Sequence, residues 1–338
     1  MGIKATIAIA TGDPAGIGPE ISLKAALDPA VRAVCDPVLV SDPRLLERHA
    51  KACGIAANLS VIDRIEGVGP ADGRVHVLSC AQPDAVDLDF GSVSAAGGRA
   101  ALAFAGAAIE AALAGAVDAV VAAPQNETAI ALAGIAFDGH PSFVARETGT
   151  DPDDVHLMLA FGDTRIVHAT LHRSVRQALE LITREHVGRV IDAAERVLRR
   201  LGIAAPRIAV GGLNPHAGEG GLFGREEIEI IQPAIDEAAR RGLRVSGPFG
   251  ADTMFHKRDV DAFVVMLHDQ GHIAAKLLAP NGAAALSIGS PILFASVAHG
   301  SAADIAGKGR ASPNAMIEAL LQLAKAPRVV ETRSALQG

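Results

Sequence analysis

The stretch GGLNPHAGEGGLFGREE, residues Gly211 to Glu227, indicates both the fold class and a first candidate functional residue. It follows RIAV (207–210), a β-branched run typical of a buried strand, and precedes EEIEIIQPAIDEAARRG (226–242), which is typical of a helix. A strand, a glycine-rich loop and an acidic first helical turn place the loop at the carboxyl end of a sheet strand, where open α/β sheets bind ligands. His216 is the imidazole in this loop.

The same alternation of strand and helix continues along the chain and predicts an α/β fold with a largely parallel sheet and helices on both faces. The predicted buried strands are 3–10, 37–42, 116–123, 262–267 and 284–289, and short strands with turns are expected in 58–85. The predicted helices are 97–114, 185–201 and an amphipathic segment near the C-terminus; 155–172 is expected to contain a hairpin, and 137–143 a turn that carries His140.

The composition limits the class of protein. A length of 338 residues predicts two domains or one two-lobed unit, and 49% hydrophobic residues without Trp or Tyr predict an aliphatic core. The net charge of -7 argues against nucleic acid as a partner. The 3 cysteines lack CxxC spacing, and the N-terminal apolar run is too short for a signal peptide or a membrane span. We therefore expect a soluble cytoplasmic protein without a membrane partner.

Two further histidines, His172 and His268, lie in or just after apolar strand-like runs, as His216 does. His268 opens HDQGHIAAK (268–276), where polar groups crowd at the end of a buried strand and so need partners or a chemical role. We infer that these three imidazoles converge on one metal ion. His168 is a rival ligand, because it lies four residues before His172 and shares its face of a strand.

A second glycine-rich loop, TGDPAGIGPE (11–20), follows the first predicted strand. Its glycines allow close backbone approach, and Pro19 suits a first helical turn. The loop matches neither the GxGxxG fingerprint nor a phosphate loop ending in GK[ST], so it is either a ligand loop or a tight connection between strand and helix. Asp42, after the second strand, is a candidate for recognising a ribose hydroxyl.

The motifs TGDPAGIGPE, GLNPHAGEGG, ADT, HDQG and HGSAADIAGKG, in this order, resemble the 4-hydroxythreonine-4-phosphate dehydrogenase family over about residues 7–323. The resemblance implies two α/β/α domains with a cleft between them, as in isocitrate and isopropylmalate dehydrogenases. It also implies a homodimer that oxidises a small-molecule secondary alcohol β to a carboxylate with NAD or NADP and then decarboxylates it. The implied first domain is 1–130 plus 280–338, and the second is 131–279.

The resemblance also implies roles for individual residues. His172, His216 and His268 would bind a divalent metal, with Zn²⁺ preferred over Mg²⁺, Mn²⁺, Co²⁺ or Ni²⁺. One of the three ligands would come from the partner subunit, so His268 can serve the site of the other chain. The remaining assignments are catalytic Lys276, His140 and Asp252, substrate-binding His140 and Lys276, and cofactor-binding Asn214, Gly300, Ser301, Asp304, Ala306 and Gly307.

Three substrate-binding positions depart from the family pattern. Pro141 stands where the family has threonine, Ala285 where it has asparagine, and Phe294 where it has a phosphate-binding arginine. Losing that arginine removes a bidentate phosphate partner. We therefore expect a non-phosphorylated substrate, a cis-dihydrodiol of an aromatic carboxylate such as terephthalate, which would give a catechol. The alternatives are 4-hydroxythreonine 4-phosphate or another phosphorylated hydroxy acid, and a metal-dependent hydrolase.

Overall fold

A single mixed β-sheet organises the chain in the computed structural model, which describes residues 4–65, 73–280 and 282–326. Its strands are β1 (Ala5–Ala10), β2 (Cys35–Ser41), β3 (Leu59–Ile62), β4 (Val75–Ser79), β5 (Ala119–Ala122), β6 (His156–Phe161), β7 (Thr164–His168), β8 (Arg207–Gly211), β9 (Arg244–Phe249), β10 (Ala262–Val265), β11 (Ala284–Ile288) and β12 (Phe294–Val297). Their order across the sheet is β3-β4-β2-β1-β5-β12-β11-β6-β7-β10-β8-β9.

Helices connect most of these strands. They are α1 (Gly18–Leu27), α2 (Pro29–Val34), α3 (Pro43–Cys53), α4 (Ala95–Leu113), α5 (Glu127–Leu132), α6 (His140–Thr148), α7 (Val175–Leu181), α8 (Arg184–Arg200), α9 (Gln232–Arg240), α10 (His268–Leu278) and α11 (Asn314–Leu323). A π-helical turn, Glu227–Ile231, leads into α9.

The predicted α/β class, the helices on both faces and the hairpin are confirmed, and the sheet is mixed. The described pairs are parallel except β6 with β7, β6 with β11 and β11 with β12. The prediction missed β9, which contains Gly247 and Pro248, and the four-residue β12. Ile3, placed in the first predicted strand, lies outside the described residues.

The predicted domain division stays a prediction, as does the likeness to isocitrate dehydrogenase. One sheet passes through both proposed units. Within it, β12 from the C-terminal part pairs in parallel with β5 from the N-terminal part, with Phe294 beside Val120. The chain therefore returns to its first half after building the second.

Helices bury both faces of the sheet against an aliphatic core, as the composition predicts. Helices α8 and α11 cover one face, and α4 and α10 cover the other.

Among the described residues, α4 is the one helix whose length and apolarity would suffice to cross a membrane. Half of that segment is buried inside the protein, and α4 contacts β1, β2 and β5, as a core helix does.

Two glycines of α4 lie in different surroundings, which permits a matched test of this packing. A Cβ on Gly98 would lie 2.3 Å from the Ala129 carbonyl oxygen and 2.5 Å from the Ile130 nitrogen, because α5 crosses α4 there. A Cβ on Gly106 would meet only the flexible Glu147 carboxylate, at 4.0 Å.

We predict that Gly98→Ala lowers the free energy of unfolding by about 1–3 kcal/mol, because backbone must move to admit the methyl group. Gly106→Ala should leave it unchanged or raise it by up to about 1 kcal/mol, since alanine is the better helix former. Urea unfolding followed by circular dichroism measures both. Equal effects of the two substitutions would show that α5 does not approach α4 as described.

Candidate active site

A cleft of about 780 Å³ opens at the carboxyl ends of β5, β7, β10 and β12. The segments that follow these strands line it, including Pro124–Gln125, His168–Arg173 and Val297–Gly300. Helix α10 contributes His268, His272 and Lys276, which are spaced four residues apart and therefore share a face of the helix. The cleft is where open α/β sheets bind ligands.

Four imidazoles meet in this cleft, and they include two of the three predicted metal ligands. The ring centroids of His172 and His268 lie 5.8 Å apart. His272 stacks on His268 at 3.8 Å with nearly parallel planes, and lies 4.6 Å from His168. The structure therefore brings His172 and His268 together within one chain.

The ring of His268 is oriented by its neighbour in sequence. Its Nδ1 lies 2.7 Å from an Asp269 carboxylate oxygen, which leaves Nε2 available to a ligand. The next residue, Gln270, accepts hydrogen bonds from the Met266 and Leu267 backbone and donates to the Gly212 carbonyl, which fixes the start of α10. A carboxylate behind a histidine is a common arrangement around metal ions.

His168, the rival ligand, lies at the buried floor of the cleft. It is 1% exposed, its Nε2 has no hydrogen-bond partner among the described residues, and burial lowers its pKa to about 3. Gly271 permits this position, because a Cβ there would lie 2.3 Å from that Nε2. His168 thus reaches the cleft from beneath α10, whereas His172 is exposed on the loop above.

The structure does not bring His216 to the cleft of its own chain. His216 lies on the loop after β8, with its Nδ1 3.3 Å from Glu219, and its side chain is 65% exposed. His216, Ala217 and Glu219 have φ of 53°, 52° and 44°. Left-handed backbone costs roughly 1–2 kcal/mol at each non-glycine residue. Such strain is typical of functional loops.

Glu227, at the start of the π-helical turn, holds this loop in place. Its carboxylate accepts hydrogen bonds from the backbone of Leu213 and Asn214 at 2.7 Å and from the Asn214 amide at 2.9 Å. Burial raises the pKa of Glu227, but these bonds outweigh it and leave the pKa lowered. Asn214 uses its amide to brace the loop and is not among the described cleft-lining residues, so its predicted cofactor role stays a prediction.

Asp252, predicted as catalytic, lies beside the His216 loop and not in the cleft of its own chain. A Cβ on Gly250 would contact both the Asp252 carboxylate, at 2.8 Å, and the His216 Cα, at 3.8 Å. The large apolar side chains Leu222, Phe223 and Ile228 are exposed on the same loop and the turn after it. Exposed apolar groups of this kind often mark an interaction surface.

One chain by itself supplies only part of the predicted set of metal ligands. His172 and His268 are neighbours, and Asp269 orients the latter. Catalytic zinc sites use three protein ligands. The described residues contain no group of three His, Cys, Asp or Glu side chains that could hold an ion. Within one chain the structure therefore brings together two of the three predicted ligands, His172 and His268.

Of the predicted substrate-binding residues, His140, Pro141, Lys276 and Ala285 line the cleft. His140 is the first residue of α6, not part of a turn as expected, and burial lowers its pKa to about 4. Phe294 is only 1% exposed, and its ring packs 5.5 Å from that of His140. The pairing of β12 with β5 places Phe294 beneath His140 and outside the cleft lining, and its role towards the substrate stays a prediction.

The predicted cofactor loop, 299–309, packs on loop 11–17. The Ile17 backbone donates to the Ser301 carbonyl at 3.0 Å, and a Cβ on Gly16 would lie 2.8 Å from the Ser301 side chain. Gly300 lines the cleft. The other predicted cofactor residues lie further along the loop: Asp304 is exposed, Ala306 is buried and Gly307 packs against Phe90.

A partly buried ion pair anchors the end of this loop to α1. Glu20 is 0% exposed, and its Oε1 accepts hydrogen bonds from Lys24 at 2.7 Å and from the Ala311 backbone at 2.9 Å. Lys24 also donates to the carbonyls of Gly309 and Ala311. Asp42, the candidate for a ribose hydroxyl, instead caps α3 and accepts hydrogen bonds from Arg44 and Gln82.

Residues 33–323 match the family described as "Pyridoxal phosphate biosynthetic protein PdxA". This chain belongs to the PdxA family. A 1,2-dihydroxy-3,5-cyclohexadiene-1,4-dicarboxylate dehydrogenase from Comamonas sp is 43% identical to it over 321 residues, which cover 95% of this chain and 98% of that relative. The predicted resemblance is thereby confirmed, and the chain is a member of a family of dehydrogenases.

Two solved structures agree in fold over nearly the whole chain. A 4-hydroxythreonine-4-phosphate dehydrogenase from Klebsiella pneumoniae has a TM-score of 0.88 at 37% identity, covering 96% of this chain and 99% of that one. A terephthalate 1,2-cis-dihydrodiol dehydrogenase from Burkholderia xenovorans LB400 has a TM-score of 0.71 at 42% identity, covering 96% and 98%. The α/β architecture is therefore that of PdxA-family enzymes.

From the sequence, no individual role is assigned to His272, Asp269 or Glu20, which lie within or beside these PdxA-family motifs. The spacing of His268, His272 and Lys276 was available as a signal, but 268–276 was interpreted as polar residues after a strand and not as a helix. One partner of Glu20, the Ala311 backbone, is 291 residues away in sequence, so no local pattern could have shown this contact.

His49 provides a test of how buried imidazoles near the cofactor loop affect stability. Its ring packs on Phe90, and its Nε2 contacts the Pro14 carbonyl at 2.8 Å. Burial lowers the pKa of His49 from 6.5 to about 4. Between these values the unfolded chain binds a proton that the folded chain does not, so this group lowers stability as pH falls from 6.5 towards 4 and has no effect above 6.5.

We predict that His49→Gln, which keeps a donor, reduces the slope of unfolding free energy against pH between these limits by up to about 1.4 kcal/mol per pH unit. Urea unfolding at several pH values measures the slope. The wild-type slope above pH 6.5 serves as the internal control, and an unaltered slope at acid pH would show that His49 titrates normally in the folded protein.

Proposed function

We propose that the chain oxidises a cis-dihydrodiol of an aromatic dicarboxylate with NAD or NADP, with release of CO₂ and formation of a catechol. The observation that carries this proposal is the burial of Phe294 beneath His140, at the position where the family has a phosphate-binding arginine. A phosphate dianion there would lack its bidentate partner. The 43% identical dicarboxylate dehydrogenase supports the same substrate class.

The charges of the cleft also suit a dicarboxylate. Lys276 and Arg173 are the cationic lysine and arginine side chains among the described lining residues, and Arg173 is exposed at the rim. Leu157, Leu159 and Ala285 supply apolar surface from β6 and β11. A flat ring carrying two carboxylates would contact both kinds of surface.

Individual side chains have distinct tasks in this proposal. Lys276 binds the carboxylate next to the reacting alcohol, and its ammonium can donate a proton to the product. His140, neutral because it is buried, presents an unpartnered Nε2 that can hydrogen-bond a substrate hydroxyl. The apolar floor around Leu159 and Ala285 limits access of water to the ring.

His172 and His268 would hold a divalent ion, with Zn²⁺ the first choice. Such an ion would supply Lewis-acid stabilisation of negative charge on the substrate oxygen. Loop 299–309, anchored through Glu20 and Lys24, would hold NAD or NADP, which would supply the hydride acceptor. A cytoplasmic location stays a prediction.

The third donor in this proposal is His216 of a second copy. His216 and Asp252 lie together on an exposed surface with Leu222 and Phe223, away from the cleft of their own chain. A two-fold dimer would bring this surface to the partner's cleft, so that each site is shared. His216, and not His268, is therefore the residue that we assign to the other chain's site.

We predict that kcat/KM for the terephthalate dihydrodiol exceeds that for 4-hydroxythreonine 4-phosphate by at least about 100-fold, because the phosphate finds no guanidinium at Phe294. Absorbance of the reduced cofactor and chromatography of the catechol measure oxidation and decarboxylation separately.

Lys276→Met should abolish turnover, and chelation should remove activity that added Zn²⁺, Mn²⁺ or Mg²⁺ restores. A faster rate with the phosphate compound would overturn the substrate assignment, and product formation without NAD(P) would favour a hydrolase.

We predict that a refolded equimolar mixture of His172→Ala and His216→Ala chains recovers about a quarter of wild-type activity, because each mixed dimer rebuilds one intact site. A mixture of His172→Ala with His268→Ala is the matched control. It should stay inactive, since both substituted residues serve the same site. Recovery in the control mixture and not in the first would assign His268 to the partner's site instead.

A further inference from the structure

A second cavity, the rear cavity, lies between α8 and the connection from β11 to β12. It has a volume of about 380 Å³ and is lined by Ala193, Arg196, Val197 and Arg200 of α8 and by residues 286–294. Sites for small molecules have volumes of about 300–1,000 Å³. The rear cavity is therefore large enough for a small ligand, and the proposed reaction assigns it no task.

Two arginines of the rear cavity lack acidic partners. Arg196 and Arg200 lie one turn apart on α8, and neither forms a salt bridge with a carboxylate in the part of the chain that the structure describes. By contrast, Arg189 and Arg199 of the same helix pair with Asp154 and Glu195. Two neighbouring guanidinium groups without a counter-ion make a bidentate site for a carboxylate.

Arg200 is the more constrained of the pair. Its Nη1 donates to the Ser290 carbonyl over a long 3.5 Å, and desolvation lowers its pKa. A partly desolvated charge with a single weak hydrogen bond gains from an anion that replaces the lost water. Arg196 and Arg200 are exposed residues that line the cavity, so an anion held between them would displace solvent water.

The opposite wall is apolar and rigid. Ile288, Ile292 and Leu293 are each no more than 6% exposed. Gly289 has φ of +103°, and a Cβ there would lie 1.9 Å from the Asp154 carbonyl oxygen, so the connection is pressed against the start of β6. A preformed wall reduces the entropy lost when a ligand binds.

We propose that the rear cavity binds a small carboxylate with an apolar body, such as an aromatic or branched aliphatic acid. The carboxylate lies between Arg196 and Arg200, and the body lies against Val197, Ile292 and Leu293. This site is independent of the proposed function, because it shares neither Lys276 nor the metal ligands with the cleft.

The rear cavity is nevertheless next to the cleft. Phe294 lines it, and the Phe294 ring packs on His140, which lines the cleft. Ser287 lines both spaces, and its buried Oγ has no hydrogen-bond partner among the described residues. An occupant of the rear cavity therefore contacts the ring on which a cleft residue rests.

Calorimetric titration of the full-length protein with 4-bromobenzoate tests the proposal. We expect saturable binding that weakens by about 10-fold or more in Arg196→Gln/Arg200→Gln, because charge-assisted hydrogen bonds to a carboxylate are lost. Arg199→Gln is the control on the same helix. It removes one positive charge, whereas the double variant removes two, and Arg199 does not line the cavity, so the affinity of this variant should equal that of the wild type. Lys276→Met should also bind as the wild type does.

Several results would overturn the proposal. Binding lost in Lys276→Met but kept in the double variant would place the acid in the cleft. Equal losses of affinity in Arg199→Gln and the double variant would show that binding depends only on the net charge of the helix. Tighter binding of inorganic phosphate than of 4-bromobenzoate would show that the ligand needs no apolar body. Wild-type crystals soaked in 4-bromobenzoate give a readout that needs no variant. A bromine anomalous peak beside Ile292 and Leu293 supports the site, and a peak only in the cleft refutes it.

Discussion

The parallel pairing of β12 with β5 is the constraint on which the rest of the site depends. It returns the chain to its first half after residues 123–293, so loop 299–309 meets loop 11–17. It also places Phe294 under His140 and sends Val297–Gly300 into the cleft. The pairing of Lys24 with the buried Glu20 carboxylate then ties the loop end to α1, because leaving that carboxylate unpaired would be costly.

Burial controls the state of the cleft histidines. His140, His168 and His272 are kept neutral because desolvation lowers the pKa of each to about 4 or below. Neutral imidazoles can accept a hydrogen bond or a metal ion, whereas protonated ones cannot. The stacking of His272 on His268 and the contact with Asp269 together fix the orientation of the His268 ring. His268 is therefore better oriented as a candidate ligand than the exposed His172.

The shared-site proposal follows from where exposure and strain coincide. The loop of His216 has left-handed backbone and exposed apolar side chains. The Glu227 carboxylate holds the start of this loop through backbone hydrogen bonds. Strain at an exposed loop is hard to explain by the packing of one chain. A second copy seated on this surface would bury Leu222 and Phe223 and bring His216 towards a cleft that holds only part of a ligand set.

The sequence by itself determined the α/β class, most strands and helices, the family and the positions of the candidate residues, because periodicity and motif spacing are local properties. Only the tertiary structure decided that Phe294 is buried, that Asn214 braces a loop, and that His172 meets His268 while His216 does not. It also revealed β12, a four-residue strand, through its neighbour β5. These outcomes depend on contacts between residues far apart in the chain, and a linear pattern of residue types carries no record of which distant segments will pack together.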